Sequence, residues 1–141
     1  MIRKLTIDNY DDIVGLWNRA DLSYKPEGRD SRLSIASEME ANPDFFMGAY
    51  AGNKLVGTVI ASWDLRKGWI NRLAVDPTYR RKGVAETLIA EAEKVLRKKG
   101  AKIICALIEG YNSGSMELFK KCGYVEDRDV TYFSKRESNK V

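Results

Sequence analysis

Arg80, Arg81 and Lys82 stand in a row, followed at once by Gly83 and then by a segment with helical apolar spacing. Three adjacent cations can give charge-assisted hydrogen bonds to the oxygens of an anion. A glycine lets the backbone approach a ligand closely. The first turn of a helix adds unpaired N–H groups and the positive end of its dipole. Small Ala85 leaves room for the ligand without pushing the helix away. These residues therefore suit a phosphate-bearing ligand, yet they also make an ordinary solvated turn, and on their own they leave both readings open. Neither GxxxxGK[ST] nor GxGxxG after a strand is present, so the two better-known phosphate loops are unsupported.

Other chemistry is bounded by what the chain lacks. It has no histidine, which excludes Ser–His–Asp and Cys–His catalysis and most zinc sites. No metal is expected. Proton transfer must use carboxylates, tyrosines, lysines, water or the substrate itself. The two cysteines form no CxxC and no disulfide framework. Cys105 lies in the apolar run "IICALI", where a buried strand residue is expected, and Cys122 precedes Gly123 at a helix end.

The net charge of +4 and pI near 9.0 are mildly basic. Nucleic-acid binding concentrates such an excess on one face or helix. Here acidic residues are interleaved with the basic ones, and the tightest cluster is Arg80 to Lys82. That pattern implies a local anion site and no nucleic-acid partner. A chain of 141 residues with 44% hydrophobic and 31% charged residues can bury one core. No apolar run approaches the roughly 20 residues that span a bilayer, and the N-terminus lacks the apolar stretch of a signal peptide. The expected setting is cytoplasmic, with no membrane partner.

The elements that must position the basic turn follow from the patterning. "IRKLTI" alternates as a first strand ending near Thr6. Asp8 would cap a helix through Ala20 with Tyr10, Ile13, Val14 and Trp17 on its inner face. A loop leads to a weaker helix from about Ser31 to Asn42, with Leu33, Ala36 and Met39 inward. Two strands joined at Gly52-Asn53 and a third, "WINRLAV", precede Asp76-Pro77. Val84, Leu88, Ala92, Val95 and Leu96 then mark a helix ending at Gly100. "AKIICALIE" reads as a strand covered on both faces. A short helix runs from Asn112 to Lys121, and "YVEDRDVTYFSK" supplies one or two last strands. The prediction is one α/β (α+β) domain over residues 1–135, with a mixed sheet of six to seven strands and about four helices, then a frayed tail over 136–141. The unit from Trp69 to Glu109 should be a parallel crossover.

In that context "LAVDPTYRRKGVAETLIAEAEKVLRKKG" resembles the acetyl-CoA-binding motif of the GNAT N-acetyltransferase superfamily, whose core is Arg/Gln-x-x-Gly-x-Gly/Ala. Arg80, Gly83 and Ala85 hold those three positions. "GYNSGSMELFKKCGY" resembles the family's second hallmark, an asparagine followed by a helix ending in a Gly-aromatic pair, here Asn112, Gly123 and Tyr124. "DDIVGLWNRADL" and "GNKLVGTVIASWD" are similar to the family's first helix and hairpin. The resemblance covers nearly the whole chain and is nearest to the small stand-alone YpeA-like members.

The resemblance implies an acetyl-CoA-dependent N-acetyltransferase that moves an acetyl group to a primary amine of a small molecule, peptide or protein by direct attack. It implies a pyrophosphate site on Arg81, Lys82, Gly83, Val84 and Ala85 beside Arg80. A pantetheine arm would run along Leu73, Ala74 and Val75, where a strand N–H would bond the thioester carbonyl. Asn112, Ser115 and Phe119 would flank its far side. Many members carry a tyrosine where Phe119 stands, protonating the departing thiolate; a thiol pKa of roughly 8.5 makes that loss tolerable. Water, Tyr111 or Tyr124 are the substitutes. The family's strand glutamate aligns with Trp69, leaving Glu109 as first candidate base and Asp64 as second, unless both are solvated loop-edge carboxylates. Tyr24, Arg29, Glu126 and Asp127 are implied acceptor contacts. A non-catalytic CoA-binding or regulatory protein is the alternative, supported by Phe119. An exposed edge strand near residues 124–135 would permit a homodimer.

Overall fold

At Gly52 and Asn53 the chain reverses, and the two flanking strands pair antiparallel from Phe46 with Ile60 to Ala51 with Lys54. The computed structural model describes residues 1–141. Its order is β1 (Ile2–Lys4), α1 (Tyr10–Arg19), α2 (Arg32–Ala41), β2 (Phe46–Ala51), β3 (Lys54–Trp63), β4 (Gly68–Val75), α3 (Val84–Lys99), β5 (Ile104–Ala106) and α4 (Ser113–Lys121). The sheet runs β1-β2-β3-β4-β5; β1 to β4 are antiparallel neighbours, and β5 joins β4 in parallel after the α3 crossover.

One face of the sheet takes α3 through Leu88, Ile89, Ala92 and Leu96, all fully buried. The helix lies close because β3 carries Gly57 there: a Cβ would stand 2.9 Å from both the Leu88 and Val84 side chains. The neighbouring β3 residue, Thr58, points to the other face, as strand alternation requires. There α1 delivers Trp17, fully buried, whose Nε1 donates to Thr58 Oγ1 at 3.1 Å. A buried indole of this size stabilises the fold by roughly 1.5–3 kcal/mol, and its N–H needs the partner it finds.

Several expectations are corrected. The sheet has five strands, not six to seven. Residues 124–135 contain no strand, and Val125, Val130, Tyr132 and Phe133 are exposed. The edge strand expected there is absent, and the outermost strand is β5. With no partner on its outer side, β5 is only Ile104–Ala106, and Ile103 and Leu107 are exposed where cover on both faces was expected. Helix α1 is led in by a 3-10 turn, Ile7–Asn9, pinned by Asn9 Oδ1 accepting from Thr6 N–H at 2.9 Å, so Asp8 is not its cap. Its buried residues are Ile13, Leu16 and Trp17. In α2 the buried pair is Ile35 and Met39, one turn apart, and Leu33 faces solvent. The tail lies along the loop after α1: Lys25 Nζ donates to Asn139 O at 2.8 Å, Lys140 pairs with Glu27 at 3.3 Å, and Gly28 lies directly against the Lys140–Val141 backbone.

Candidate active site

β4 passes through two specialised regions, one at its C-terminal end and one at its middle. At the end, Asp76 is 3% exposed and caps the short turn Pro77–Tyr79. Its Oδ1 accepts from Thr78 N–H at 2.9 Å and Thr78 Oγ1 at 2.8 Å, and its Oδ2 accepts from Arg19 Nε at 3.0 Å. The Thr78 backbone N–H, then its hydroxyl, then Arg19 and Lys54, hold the Asp76 carboxyl well below the usual range against the opposing effect of burial. The turn is thereby fixed, and it delivers the chain to the basic stretch.

Arg81 (φ 62°) and Gly83 (φ 80°) both lie in the left-handed region, which aims successive backbone N–H groups outward. No N–H from Arg81 through Glu86 finds an acceptor in the chain; the first bond of the helix is Thr87 N–H to Gly83 O at 3.1 Å. A Cβ at Gly83 would meet nothing within 4 Å, so the approach is open. Arg80, Arg81 and Lys82 are exposed and none pairs with a carboxylate. The one acidic residue of the first turn, Glu86, is paired with Lys121 at 3.5 Å. Free cations and free donors converging at one helix start favour the anion cradle over the solvated turn.

At its middle, β4 bulges. Ile60 pairs with Asn71 and Thr58 with Ala74, so Arg72 and Leu73 together oppose Val59. Arg72 has φ 53°, rare for a side-chain-bearing residue within a strand. Pairing with β5 ends just before, at Ile70 with Ala106. Past that point, Asn71 to Leu73 and Leu107 to Glu109 face each other across a cleft of about 480 Å³. Splayed strands with a bulge at the fork leave backbone groups turned toward the opening instead of toward each other.

The cleft gathers many of the expected residues. Leu73, Glu109, Asn112, Ser115, Phe119 and Arg29 line it. Ala74 and Val75 are buried, so only their backbone can serve a ligand. Asn112 Oδ1 accepts from Ser115 N–H at 3.1 Å, capping α4. Phe119 is buried and meets the Tyr124 ring edge-on at 5.0 Å. Tyr124 donates to Glu93 Oε2 at 2.6 Å, and burial first, then that carboxylate, push its phenol far up. Tyr111 is 83% exposed and does not line the cleft.

Asp64 is not brought to the cleft. It is a turn cap: its carboxylate accepts from Arg66 and Lys67 N–H at 2.9 and 2.6 Å and from Trp69 Nε1 at 3.2 Å. Those bonds, the Lys67 N–H first, lower its pKa. Tyr24 packs on Trp17, Glu126 pairs with Lys120 and Arg128, and neither they nor Asp127 line the cleft. Burial pushes both thiols up, so Cys105 and Cys122 are poor nucleophiles.

Sequence reasoning missed Asp30, Glu38, Asn71 and Arg72, all of which line the cleft. Burial first, then the nearby Asp30, raise the Glu38 carboxyl, with Arg72 opposing. No spacing signals these residues, because Asp30 and Arg72 are 42 positions apart and meet only in the fold.

A mixed sheet whose bulged strand β4 forks from β5 and ends on a basic helix start puts an open cleft and an anion cradle on one strand, an arrangement suited to a long phosphate-bearing ligand. Comparison with known proteins agrees: the model of the acetyltransferase (GNAT) family matches residues 10–124, and the chain belongs to that family. An acetyltransferase of Photorhabdus laumondii is 33% identical over 137 residues, covering 96% of this chain and 94% of the relative. An acetyltransferase of Sodalis glossinidius is 30% identical over 135 residues with the same coverage. Among solved structures, the PaiA N-acetyltransferase of Thermoplasma acidophilum in complex with coenzyme A superposes with a TM-score of 0.78 at 26% identity, covering 92% of each chain. The protein is thus an acyltransferase of the GNAT fold. No helix is long and apolar enough to cross a membrane.

Proposed function

We propose that the chain transfers the acetyl group of acetyl-CoA to a primary amine by direct attack. The observation that carries this reading is the pairing of the free N–H cradle at Arg81–Glu86 with the cleft at the β4 bulge on one strand. The pyrophosphate is held by those N–H groups with Arg80, Arg81 and Lys82 around it. The pantetheine arm follows Leu73 to Val75, with Asn112, Ser115 and Phe119 opposite. A backbone N–H at the bulge binds the thioester carbonyl and stabilises the charge that grows on its oxygen.

The amine nitrogen forms its bond to the acetyl carbon, the C–S bond breaks, and the sulfur leaves with the electron pair. Glu109 accepts the proton lost by the amine, directly or through water. An α-amine with pKa about 8 is roughly one-tenth neutral at pH 7, so it needs less help than a lysine near 10.4. Phe119 donates no proton, and the Tyr124 hydroxyl is engaged with Glu93. The thiolate, with a conjugate pKa of roughly 8.5, leaves unaided or takes a proton from water. Glu38 and Glu109 line the cleft beside Arg29 and the paired Asp30 and Arg72, so carboxylates are available to an acceptor that arrives as an ammonium ion, whether small molecule or peptide.

The test is incubation with acetyl-CoA and a panel of amines, amino acids and peptides while following thiol release. Release that depends on one acceptor class is expected. CoA binding without acceleration by any amine would instead make the protein a CoA-binding regulator of the same fold, the reading that Phe119 favours.

A further inference from the structure

The bulge at Arg72 and Leu73 is held from two sides by side chains distant in sequence. From below, Trp17 Nε1 donates to Thr58 Oγ1 at 3.1 Å, and that hydroxyl donates to the Arg72 carbonyl at 3.2 Å. From the side, the Arg72 guanidinium pairs with Asp30 Oδ2, donates to Ser23 O, and stacks 5.1 Å from the Trp17 ring centroid. Asp30 is 3% exposed and is itself fixed, its Oδ2 accepting from Lys25 N–H at 2.8 Å and its carbonyl from Tyr10 OH at 2.6 Å.

Those contacts do more than fill space. A left-handed φ at an arginine inside a strand is a conformation the backbone leaves unless its surroundings oppose it. Arg72 meets that requirement with its carbonyl accepting from Thr58 and its guanidinium held by Asp30, Ser23 and the Trp17 ring. Leu73, the second residue of the bulge, lines the cleft. Moreover, Asp30 and Ser23 belong to the segment between α1 and α2 that walls the cleft through Leu22 and Arg29. One ion pair therefore joins the wall of the acceptor side to the backbone that faces the acyl carbonyl.

We infer that Asp30 and Arg72 are positioning residues for acetyl transfer: their ion pair holds the β4 bulge in the shape that turns backbone N–H toward the thioester carbonyl. This rests on the acetyl-CoA reading above. The pair acts on the acetyl end alone. The cradle at Arg81–Glu86 is fixed separately by Asp76 and the start of α3. Loosening the bulge should therefore spare recognition of CoA itself and weaken only what distinguishes acetyl-CoA from CoA.

The experiment uses the full chain and acetyl-CoA labelled with ¹³C at the thioester carbonyl, which needs no acceptor. In the wild type the bound carbonyl resonance should move downfield of free acetyl-CoA, as a polarising hydrogen bond requires. Asp30→Asn should return it at least about halfway to the free position while the CoA affinity stays within about twofold, because the removed interaction acts only on the carbonyl. Thr58→Val, which keeps the ion pair and removes the hydroxyl bond to Arg72, should move it the same way by less.

A wild-type carbonyl shift retained in Asp30→Asn overturns the inference. If that variant fails to fold, Arg72→Lys, which keeps the charge and loses the guanidinium contacts to Asp30 and Ser23, decides by the same readout, and an unchanged shift there overturns it equally. A wild type that binds CoA with no carbonyl shift also overturns it and leaves the cradle standing. A wild type that binds no CoA overturns the acetyl-CoA reading and this inference with it.

Discussion

The two specialised regions of β4 are built by opposite means. The C-terminal end, Asp76 to Glu86, is local: a capped turn, two left-handed residues and a helix start, all within a dozen positions, present exposed cations and free backbone donors. The bulge is nonlocal: Arg72 is set by Thr58, Asp30, Ser23 and Trp17, drawn from α1, the loop after it and β3. A ligand that is common to a family can be held by backbone geometry, which tolerates sequence change around it. The bulge instead depends on side-chain contacts between residues far apart in the sequence.

Four variants probe that contrast. The largest effect is expected for Glu109→Gln: turnover should fall by about 100-fold or more, the usual contribution of a general base, with CoA affinity measured by calorimetry unchanged. Equal losses in both would move Glu109 into the binding region. Next, Gly83→Val forces a β-branched side chain into the left-handed region and into the ligand's path. Strain of roughly 1–2 kcal/mol with crowding should weaken CoA about 30-fold, while circular dichroism shows the helices intact.

Neutralising Arg80, Arg81 and Lys82 together to glutamine should cost about tenfold in CoA affinity, since exposed charges contribute little each. It should also flatten the dependence of that affinity on ionic strength. The smallest effect concerns Asp76. Its carboxyl is held below its ordinary value in the folded state. Its stabilisation is therefore complete above the unfolded pKa of about 3.9 and is lost as pH falls through the lower folded pKa. Asp76→Asn should lower the melting temperature at pH 7, with the difference from wild type narrowing as the pH is taken below about 4. A gap that stayed constant with pH would mean that the charged carboxylate, through its bonds to Thr78 and its ion pairs to Arg19 and Lys54, does not hold the turn.

The contrast also decides what the sequence discloses. Arg80, Gly83 and Ala85 announce the cradle because every part of it lies within one stretch, and Gly52, Pro77 and Gly100 mark boundaries that the fold observes. Asn112 is legible for the same reason, as the cap of the helix it opens. Arg72 gives no sign of itself in "WINRLAV", which reads as regular strand, because a bulge depends on what lies opposite and beneath. Asp30 looks like one more solvated acid in "GRDSR" until the fold buries it against Arg72. "YVEDRDVTYFSK" alternates well enough for a strand, yet pairing is a property of two strands, and β5 ends at Ala106 without taking it up.

We propose that one strand, β4, holds the carrier at its end and the acyl group at its bulge. A titration of ¹⁵N-labelled protein with acetyl-CoA, followed by amide chemical shifts, tests it most directly. The largest shifts should fall at Arg81 to Glu86 and at Leu73, with the Leu73 shift much reduced when CoA replaces acetyl-CoA and the cradle shifts unchanged. Shifts that avoid Arg81 to Glu86, or a Leu73 amide that responds equally to both ligands, would contradict it.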